Sequence, residues 1–304
     1  MWDEGVRQQT AAGRPPALDE TFEEHRAVLT GVAYRMLGRI ADAEDVVQEA
    51  WLRWAGADRD EVREPRAFLV RTTTRLAIDR LRHVQSRRES YVGAWLPEPL
   101  TTDLPPGAGD AESRVLLAES VSLALLVVLE TLSPLERAVF VLREAFGYPY
   151  GEIAAALDRA EPAVRQMAGR ARRHVEARDQ RFDADPAVSA ELTERFLAAC
   201  TGGDLAGLLA LLAPDVRLIG DGGGVQKAPR RILATADRVG RFLHAIADDT
   251  PPAMAVSFRE VNGAPAAVIT SRGRPHTVLS LETRDGLIAC VYLLTNPGKL
   301  TGIR

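Results

Sequence analysis

Arg165, Gln166, Arg170, Arg172 and Arg173 are the residue types that hydrogen-bond base edges and phosphates in a DNA major groove. They follow Pro162, which suits a first helical position because its missing N–H would lack a partner there anyway. At helical spacing Val164, Met167, Ala168, Ala171 and Val175 fall on one side, and Arg165, Gln166, Gly169, Arg172 and Arg173 on the other. Upstream lie Leu-Ser-Pro-Leu-Glu-Arg at 132–137 and Tyr-Gly-Glu-Ile-Ala at 150–154, with a turn expected at 158–160. The layout predicts a helix-turn-helix whose second helix packs by one face and reads DNA by the other. An amphipathic helix with a solvated basic face is the competing reading of the same residues.

A second charged feature lies nearer the amino terminus. Asp42, Glu44, Asp45, Gln48 and Glu49 project from a segment whose Val46, Val47, Ala50 and Trp51 can face a core. A solvated helix face is again the plain alternative. Then, between positions 63 and 88, eight arginines stand against Glu64 and Asp79. On the helix expected from 65 to 82, Arg71, Arg75 and Arg82 share a face opposite Leu69, Thr73, Leu76 and Ala77, and such a stripe suits a nucleic-acid backbone. Arg80 lies nearer the apolar side, where pairing with an acid is expected.

These elements need scaffolds. A chain of 304 residues suggests two or three domains. Its net charge of −4 and pI near 5.8 argue against a nonspecific polyanion binder, although a net value hides local asymmetry. The longest apolar run, 123–129, is too short to span a membrane, and the polar first 17 residues lack the apolar stretch of a signal peptide, so a cytoplasmic protein is expected. Cys200 and Cys290 are expected as buried free thiols. No zinc motif, P-loop or dinucleotide fingerprint occurs, so no metal or cofactor is expected.

Residues 1–17 read as a tail, 18–88 as a helical domain with Gly31, Gly38, Gly56 and Pro65 as breakers, 89–111 as a Pro/Gly-rich linker, and 112–178 as a second helical domain. From 185 to 304 the pattern changes. Helices near 187–201 and 204–212 precede a strand at 216–219, a helix at 229–248 and strands at 253–261, 266–271, 277–283 and 287–294. Asn262-Gly263 and Asp285-Gly286 mark hairpin turns. This order predicts an α+β domain with an antiparallel sheet.

Residues 33–38 (Ala-Tyr-Arg-Met-Leu-Gly), 42–51 (Asp-Ala-Glu-Asp-Val-Val-Gln-Glu-Ala-Trp), 65–69 (Pro-Arg-Ala-Phe-Leu) and 77–82 (Ala-Ile-Asp-Arg-Leu-Arg) resemble region 2 of bacterial extracytoplasmic-function sigma factors, and 112–178 resembles region 4. Trp95, Leu96, Pro97, Glu98 and Pro99, then Asp221, Gly222, Gly223 and Gly224, then Asn296, Pro297 and Lys299, resemble the sigma-J-like subgroup with a fused SnoaL-like domain of NTF2-like cone fold. The chain departs from that pattern at Asp158 (commonly Gly), at Glu161 (commonly a Ser or Thr cap), at Val225 and Gln226, which intervene before Lys227, and at Gly298 (commonly an acid).

The resemblance implies two all-α domains plus the cone. It implies docking of Asp42, Glu44, Asp45, Gln48 and Glu49 on the β′ clamp helices of core RNA polymerase. It implies −10 contacts from Arg66, Arg71, Arg75, Arg80 and Arg82, and −35 contacts by region 4, which also meets the β flap, from Arg165, Gln166, Arg170, Arg172 and Arg173. The linker and cone motifs are expected to meet and to replace a separate anti-sigma factor. Trp95, the linker's one large apolar side chain, is expected to dock on the cone, with a local anchor on region 2 as the alternative. A catalytic or small-molecule-binding cone is the other function considered, with Asp221, His244 and His276 as its candidate acid and base groups.

Overall fold

The computed structural model describes residues 18–58, 62–88, 91–101, 117, 121–177, 186–247 and 252–303. Three helices open the chain: α1 (Leu18–Leu37), α2 (Ile40–Ala55) and α3 (Pro65–Arg88). α1 buries Leu29, Val32, Ala33, Met36 and Leu37, the i, i+3, i+4, i+7, i+8 stripe of a helix lying on a core. α2 buries Ala43, Val46, Val47, Ala50 and Trp54, with Trp51 half-buried beside them. Gly31 does not break α1. It lets Phe146 of the second helical domain approach, and a Cβ there would lie 2.9 Å from the Phe146 ring. Gly38 does end α1, at φ +68°, and a Cβ there would lie 2.7 Å from the Trp95 ring.

The second helical domain comprises α4 (Leu123–Leu129), α5 (Pro134–Phe140), a π-turn (Val141–Ala145), α6 (Tyr150–Leu157) and α7 (Glu161–Glu176). The hydroxyls of Ser122 and Ser133 accept from the amides of Leu125 and Glu136, satisfying donors that α4 and α5 would otherwise leave open. Asp158 closes α6 at φ 54°, a left-handed position that Asp tolerates better than most residues. The cap of α7 is Ala160. Glu161, expected at the cap, is the first helical residue and pairs instead with Arg165. The segments 102–116 and 118–120, expected as linker and helix, lie outside the described residues.

The carboxy-terminal domain contains α8 (Pro186–Thr201), α9 (Leu205–Leu211), β1 (Leu212–Asp221), β2 (Leu233–Ala234), α10 (Ala236–Ala247), β3 (Met254–Val261), β4 (Ala264–Ser271), β5 (Arg274–Arg284) and β6 (Leu287–Leu294). The sheet order is β2-β1-β6-β5-β4-β3. All neighbours are antiparallel except β1 and β6, which run parallel. The expected antiparallel sheet is therefore a mixed one. A helix and four strands separate β1 from β6, so the connection is long enough for parallel pairing. The helix expected from 229 begins only at Ala236, because Leu233 and Ala234 pair with β1.

Both faces of the sheet are covered. Val216, Leu218, Ala267, Leu279, Leu281, Val291 and Leu293 point toward α8, α9 and α10. Ile219, Ala266, Val268, Val278, Cys290, Tyr292 and Leu294 form the other layer, closed by Leu96 of the linker, Leu123 of α4, and Leu300 and Ile303. Burial on both faces is why β6 reads as an unbroken apolar run without alternation. The linker and the second helical domain thus complete a core that the carboxy-terminal domain cannot close alone.

Gly38→Ala forces a Cβ onto a left-handed residue and against Trp95. We expect a loss of about 1–3 kcal/mol in urea unfolding and displacement of Trp95, read as altered tryptophan emission.

Candidate nucleic-acid interface and interdomain joint

β1 ends at Asp221, and the glycine turn that follows frees its carboxylate to face the linker. A Cβ on Gly222 would fall 2.2 Å from the carbonyl of Gln226, so the turn closes only with glycine there. The short 3-10 turn after β6 (Pro297–Lys299) delivers Lys299 to the same spot. Lys299 Nζ lies 2.6 Å from Asp221 Oδ2 and donates to the Leu96 carbonyl at 2.5 Å. Asp221 also accepts from the Leu96 amide at 2.9 Å, the Gly223 amide at 3.0 Å and the Tyr91 hydroxyl at 2.5 Å. Asn296 donates to Tyr91 at 2.8 Å. The ammonium lies 3.8 Å from the centre of the Trp95 ring. Asp221 is 0% exposed and Lys299 3%. Burial and hydrogen bonding to the Asp221 carboxylate push the Tyr91 hydroxyl well above its ordinary pKa, so it stays a donor.

The linker's other side meets the first helical domain. The Glu98 amide donates to Gly38 at 2.7 Å, and the Tyr34 hydroxyl donates to the Glu98 carbonyl at 2.7 Å. α2 has no side-chain cap of its own. Glu98, 2% exposed, accepts from the Ile40 amide at 3.2 Å and places its charge at that helix N-terminus. Trp95 sits between Gly38 and Lys299, so it touches the first domain and the cone at once, uniting the two expected alternatives. Asn262, in the β3–β4 turn, joins four parts of the chain. It exchanges hydrogen bonds with Leu100 at 2.9 and 3.0 Å and donates to the Tyr34 hydroxyl and the Val121 carbonyl at 3.2 Å. Sequence reading saw Asn262 only as a turn former and missed Tyr34 and Tyr91 as joint residues. The near-absence of other aromatics around the linker was the available signal for Tyr91.

The helical domains also contact each other directly. Arg137, 0% exposed, donates from Nε to the Arg35 carbonyl at 2.8 Å and pairs with Glu130 at 2.6 Å. Of the basic residues on α3, Arg75 donates to the Ala156 carbonyl of α6 at 2.9 Å. Arg66 donates to the Tyr148 hydroxyl at 3.3 Å and stacks over its ring. Arg71 lies over Phe68, and Arg82 pairs with Asp79. Arg80 is turned to α2, where it bridges Asp42 at 2.7 Å and Asp45 at 3.1 Å. The hydrogen bond to Asp42 raises its already high pKa. Its place is therefore with the acidic face and not with the arginine stripe, because α2 and α3 pack side by side. Glu44, Gln48 and Glu49 are exposed on α2, with Glu49 held by Arg53.

On α7, Val164, Ala168, Ala171 and Val175 are buried and Met167 is half-buried, while Arg165, Gln166, Arg170, Arg172 and Arg173 are exposed. Three of these cations are engaged with acids: Arg165 with Glu161, Arg170 with Glu136 and Arg172 with Glu144.

The groups considered for catalysis do not converge. Asp221 is locked in the joint, and His244 is not among the residues lining the cavity of the cone; His276 lines it. Cys200 and Cys290 are free thiols, and burial pushes both up to about 12, so they stay protonated and inert. Among the described residues no cluster of three or more metal-ligating side chains occurs, and no helix is long and apolar enough to cross a membrane.

Family models for sigma-70 region 2 and sigma-70 region 4 match residues 21–88 and 122–175. The ECF RNA polymerase sigma factor SigJ of Mycobacterium tuberculosis is 38% identical over 291 residues, spanning 92% of each chain. The chain belongs to the extracytoplasmic-function sigma factors. A probable ECF sigma factor, SigI, of the same organism is 35% identical over 285 residues, spanning 93% of this chain and 94% of its own. The crystal structure of M. tuberculosis SigJ aligns with a TM-score of 0.71 at 35% identity, covering 93% of this chain and 98% of that one. That likeness extends over the carboxy-terminal domain as well as both helical domains. As a sigma factor the chain binds core RNA polymerase and promoter DNA and directs promoter-specific initiation.

Lys299→Met leaves the Asp221 charge buried without its partner, which costs about 3–5 kcal/mol. We expect most of that loss to appear as release of the linker, measured as faster amide exchange at Leu96. The double variant Asp221→Asn/Lys299→Met, which removes both charges, is expected to recover part of the protection.

Proposed function

We propose that this sigma factor is held closed in cis by its carboxy-terminal domain, acting in the cytoplasm where polymerase works. The observation that carries the reading is the linker, gripped by Asp221, Lys299 and Asn262 on one side while it caps α2 through Glu98 on the other. In this reading residues 18–88 and 112–178 are the polymerase- and promoter-binding domains, 89–111 the linker and 185–304 the regulator. The domain acts by contacts between domains and not by catalysis, since no acid joins His276 in the cavity among the described residues.

α2 docks on the β′ clamp helices through Asp42, Glu44, Asp45, Gln48 and Glu49, with charge complementarity speeding and orienting the encounter. Arg80 presets two of those acids. Arg66, Arg71, Arg75 and Arg82 serve the −10 element, where a base must leave the stack before it can be bound, so recognition and melting are one event. In the closed arrangement Tyr148, just before α6, lies against Arg66, and α6 itself lies against Arg75, so opening must precede −10 engagement. α7 reads the −35 element while region 4 meets the β flap. Gln166 and Arg173 are the base-reading candidates: both face solvent, and among the described residues neither is paired with an acid. A bidentate base contact there contributes about 1–3 kcal/mol of discrimination.

The decisive experiment is promoter-specific transcription with core polymerase, comparing the full chain, full-length Lys299→Met, and a chain ending at Asp179. Both altered proteins are expected to initiate more often than the full chain. Lower activity from either, with the helical domains still folded, would make the carboxy-terminal domain a required part of the initiating complex and sink the closed-state reading. Arg80→Ala is expected to weaken core binding in a pull-down while leaving the affinity of the isolated sigma factor for −35 DNA unchanged.

A further inference from the structure

We propose that Glu98, a linker residue, is a positioning residue for polymerase docking: it supplies the N-terminal cap that the docking helix α2 lacks in its own sequence. The inference rests on the reading of α2 as that helix. An α-helix leaves its first amides without partners inside the helix, and a side-chain oxygen on the residue before it commonly accepts from one of them. Here that residue is Arg39, which has the extended backbone of a cap, φ −137° and ψ 132°, but no acceptor to offer. Its carbonyl accepts from the Ala43 amide at 3.1 Å and closes the first turn. The Ile40 amide still needs an acceptor, because Ile40 is buried, 4% exposed, and water is not at hand to replace a lost partner. Glu98 Oε2 lies 3.2 Å from it. The same carboxylate lies 4.0 Å from Arg39 Nε, so the guanidinium balances its charge together with the helix end.

The docking face begins within that first turn. Asp42 is the third residue of α2, and Arg80 of α3 ties it to Asp45. A frayed first turn takes Asp42 away from Arg80 and unsettles the leading acid of the face, so the cap acts on docking through Asp42. Glu98 is itself anchored on the corner between α1 and α2. Its amide donates to the Gly38 carbonyl and its carbonyl accepts from the Tyr34 hydroxyl, both at 2.7 Å. The cone holds the linker elsewhere: Asp221 and Lys299 act two residues earlier, at Leu96, and Asn262 acts two residues later, at Leu100. The linker thus has two separable attachments. The grip at Leu96 opens, and the cap stays on α2 when it does.

Full-length proteins test the role by two readouts, amide exchange at 40–43 and equilibrium binding of core RNA polymerase. Glu98→Ala is expected to speed exchange at 40–43 about five-fold, the size of an average cap, and to weaken core binding several-fold. Glu98→Gln keeps an acceptor and gives up the charge, so it is expected to fall between, and it carries the test if Glu98→Ala unfolds. The discriminating protein is Arg39→Ser/Glu98→Ala, read beside Arg39→Ser alone because Arg39 also donates to the Gly298 carbonyl at 3.4 Å. A serine hydroxyl at the cap position accepts from the first turn of α2 directly. Exchange and core binding are therefore expected to return in large part while the linker contact is still missing. If exchange recovers and core binding does not, the loss belongs to the linker and the cap is overturned as its cause. Faster exchange with unchanged core binding in Glu98→Ala overturns the positioning role, and unchanged exchange overturns the cap itself. Asp45→Lys tests the docking reading separately: core binding indifferent to it overturns α2 as the docking helix, whatever the exchange at 40–43. Lys299→Met is expected to speed exchange at Leu96 and leave 40–43 as in the full chain, and a parallel rise at 40–43 overturns the separation of cap from grip.

Discussion

A carboxylate and an ammonium, both out of solvent, meet where the linker passes the carboxyl ends of β1 and β6, and the linker's place between the domains depends on how they are satisfied. Two isolated charges in such a setting would cost several kcal/mol each. Here Asp221 accepts from Tyr91, Leu96 and Gly223 as well as Lys299, and Lys299 spends a second donor on Leu96. The pair is therefore tolerable only while the linker lies in place, because the linker supplies the Leu96 amide and carbonyl and the Tyr91 hydroxyl. Charges buried in this way bind the cone to one particular strand of chain in one register, which a purely apolar contact does not enforce.

Apolar burial then carries most of the affinity. Leu96 and Leu123 close the outer layer of the sheet, and burying a leucine is worth about 1.5–3 kcal/mol. Because α4 and the linker both contribute, separating the second helical domain from the cone exposes sheet and helix together. Arg137 adds a separate tie between the two helical domains at the end of α1. Under the proposal that the carboxy-terminal domain holds the chain closed, freeing the basic face of α3 undoes contacts of both kinds, at the joint and at Arg137.

The secondary structure of the helical domains was largely legible because their apolar stripes recur at helical spacing and their ends carry Ser, Pro and Gly. The sheet was read less well. The two-residue β2 has no pattern to detect, and the parallel pairing of β1 with β6 depends on partners some seventy residues apart. At the candidate sites the same division appears. The two faces of α7 separate cleanly in one dimension, since both are set by position along one helix. Arg80 was legible only in part: its spacing near the apolar side pointed to an acid partner, but not that Asp42 and Asp45 on a different helix supply it.

Residue types and local spacing by themselves determined the helices, the hairpins, the glycine turn after Asp221 and the family to which the chain belongs. Each of those rests on interactions spanning a few residues or on short ordered motifs. What only the tertiary structure decided is the joint: that Lys299 reaches Asp221, that Glu98 caps α2, that Asn262 ties the linker to Tyr34 and Val121, and that Trp95 touches two domains at once. Desolvation makes those contacts strong, and desolvation is a property of the assembled molecule, created when sheet, linker and helices exclude water together.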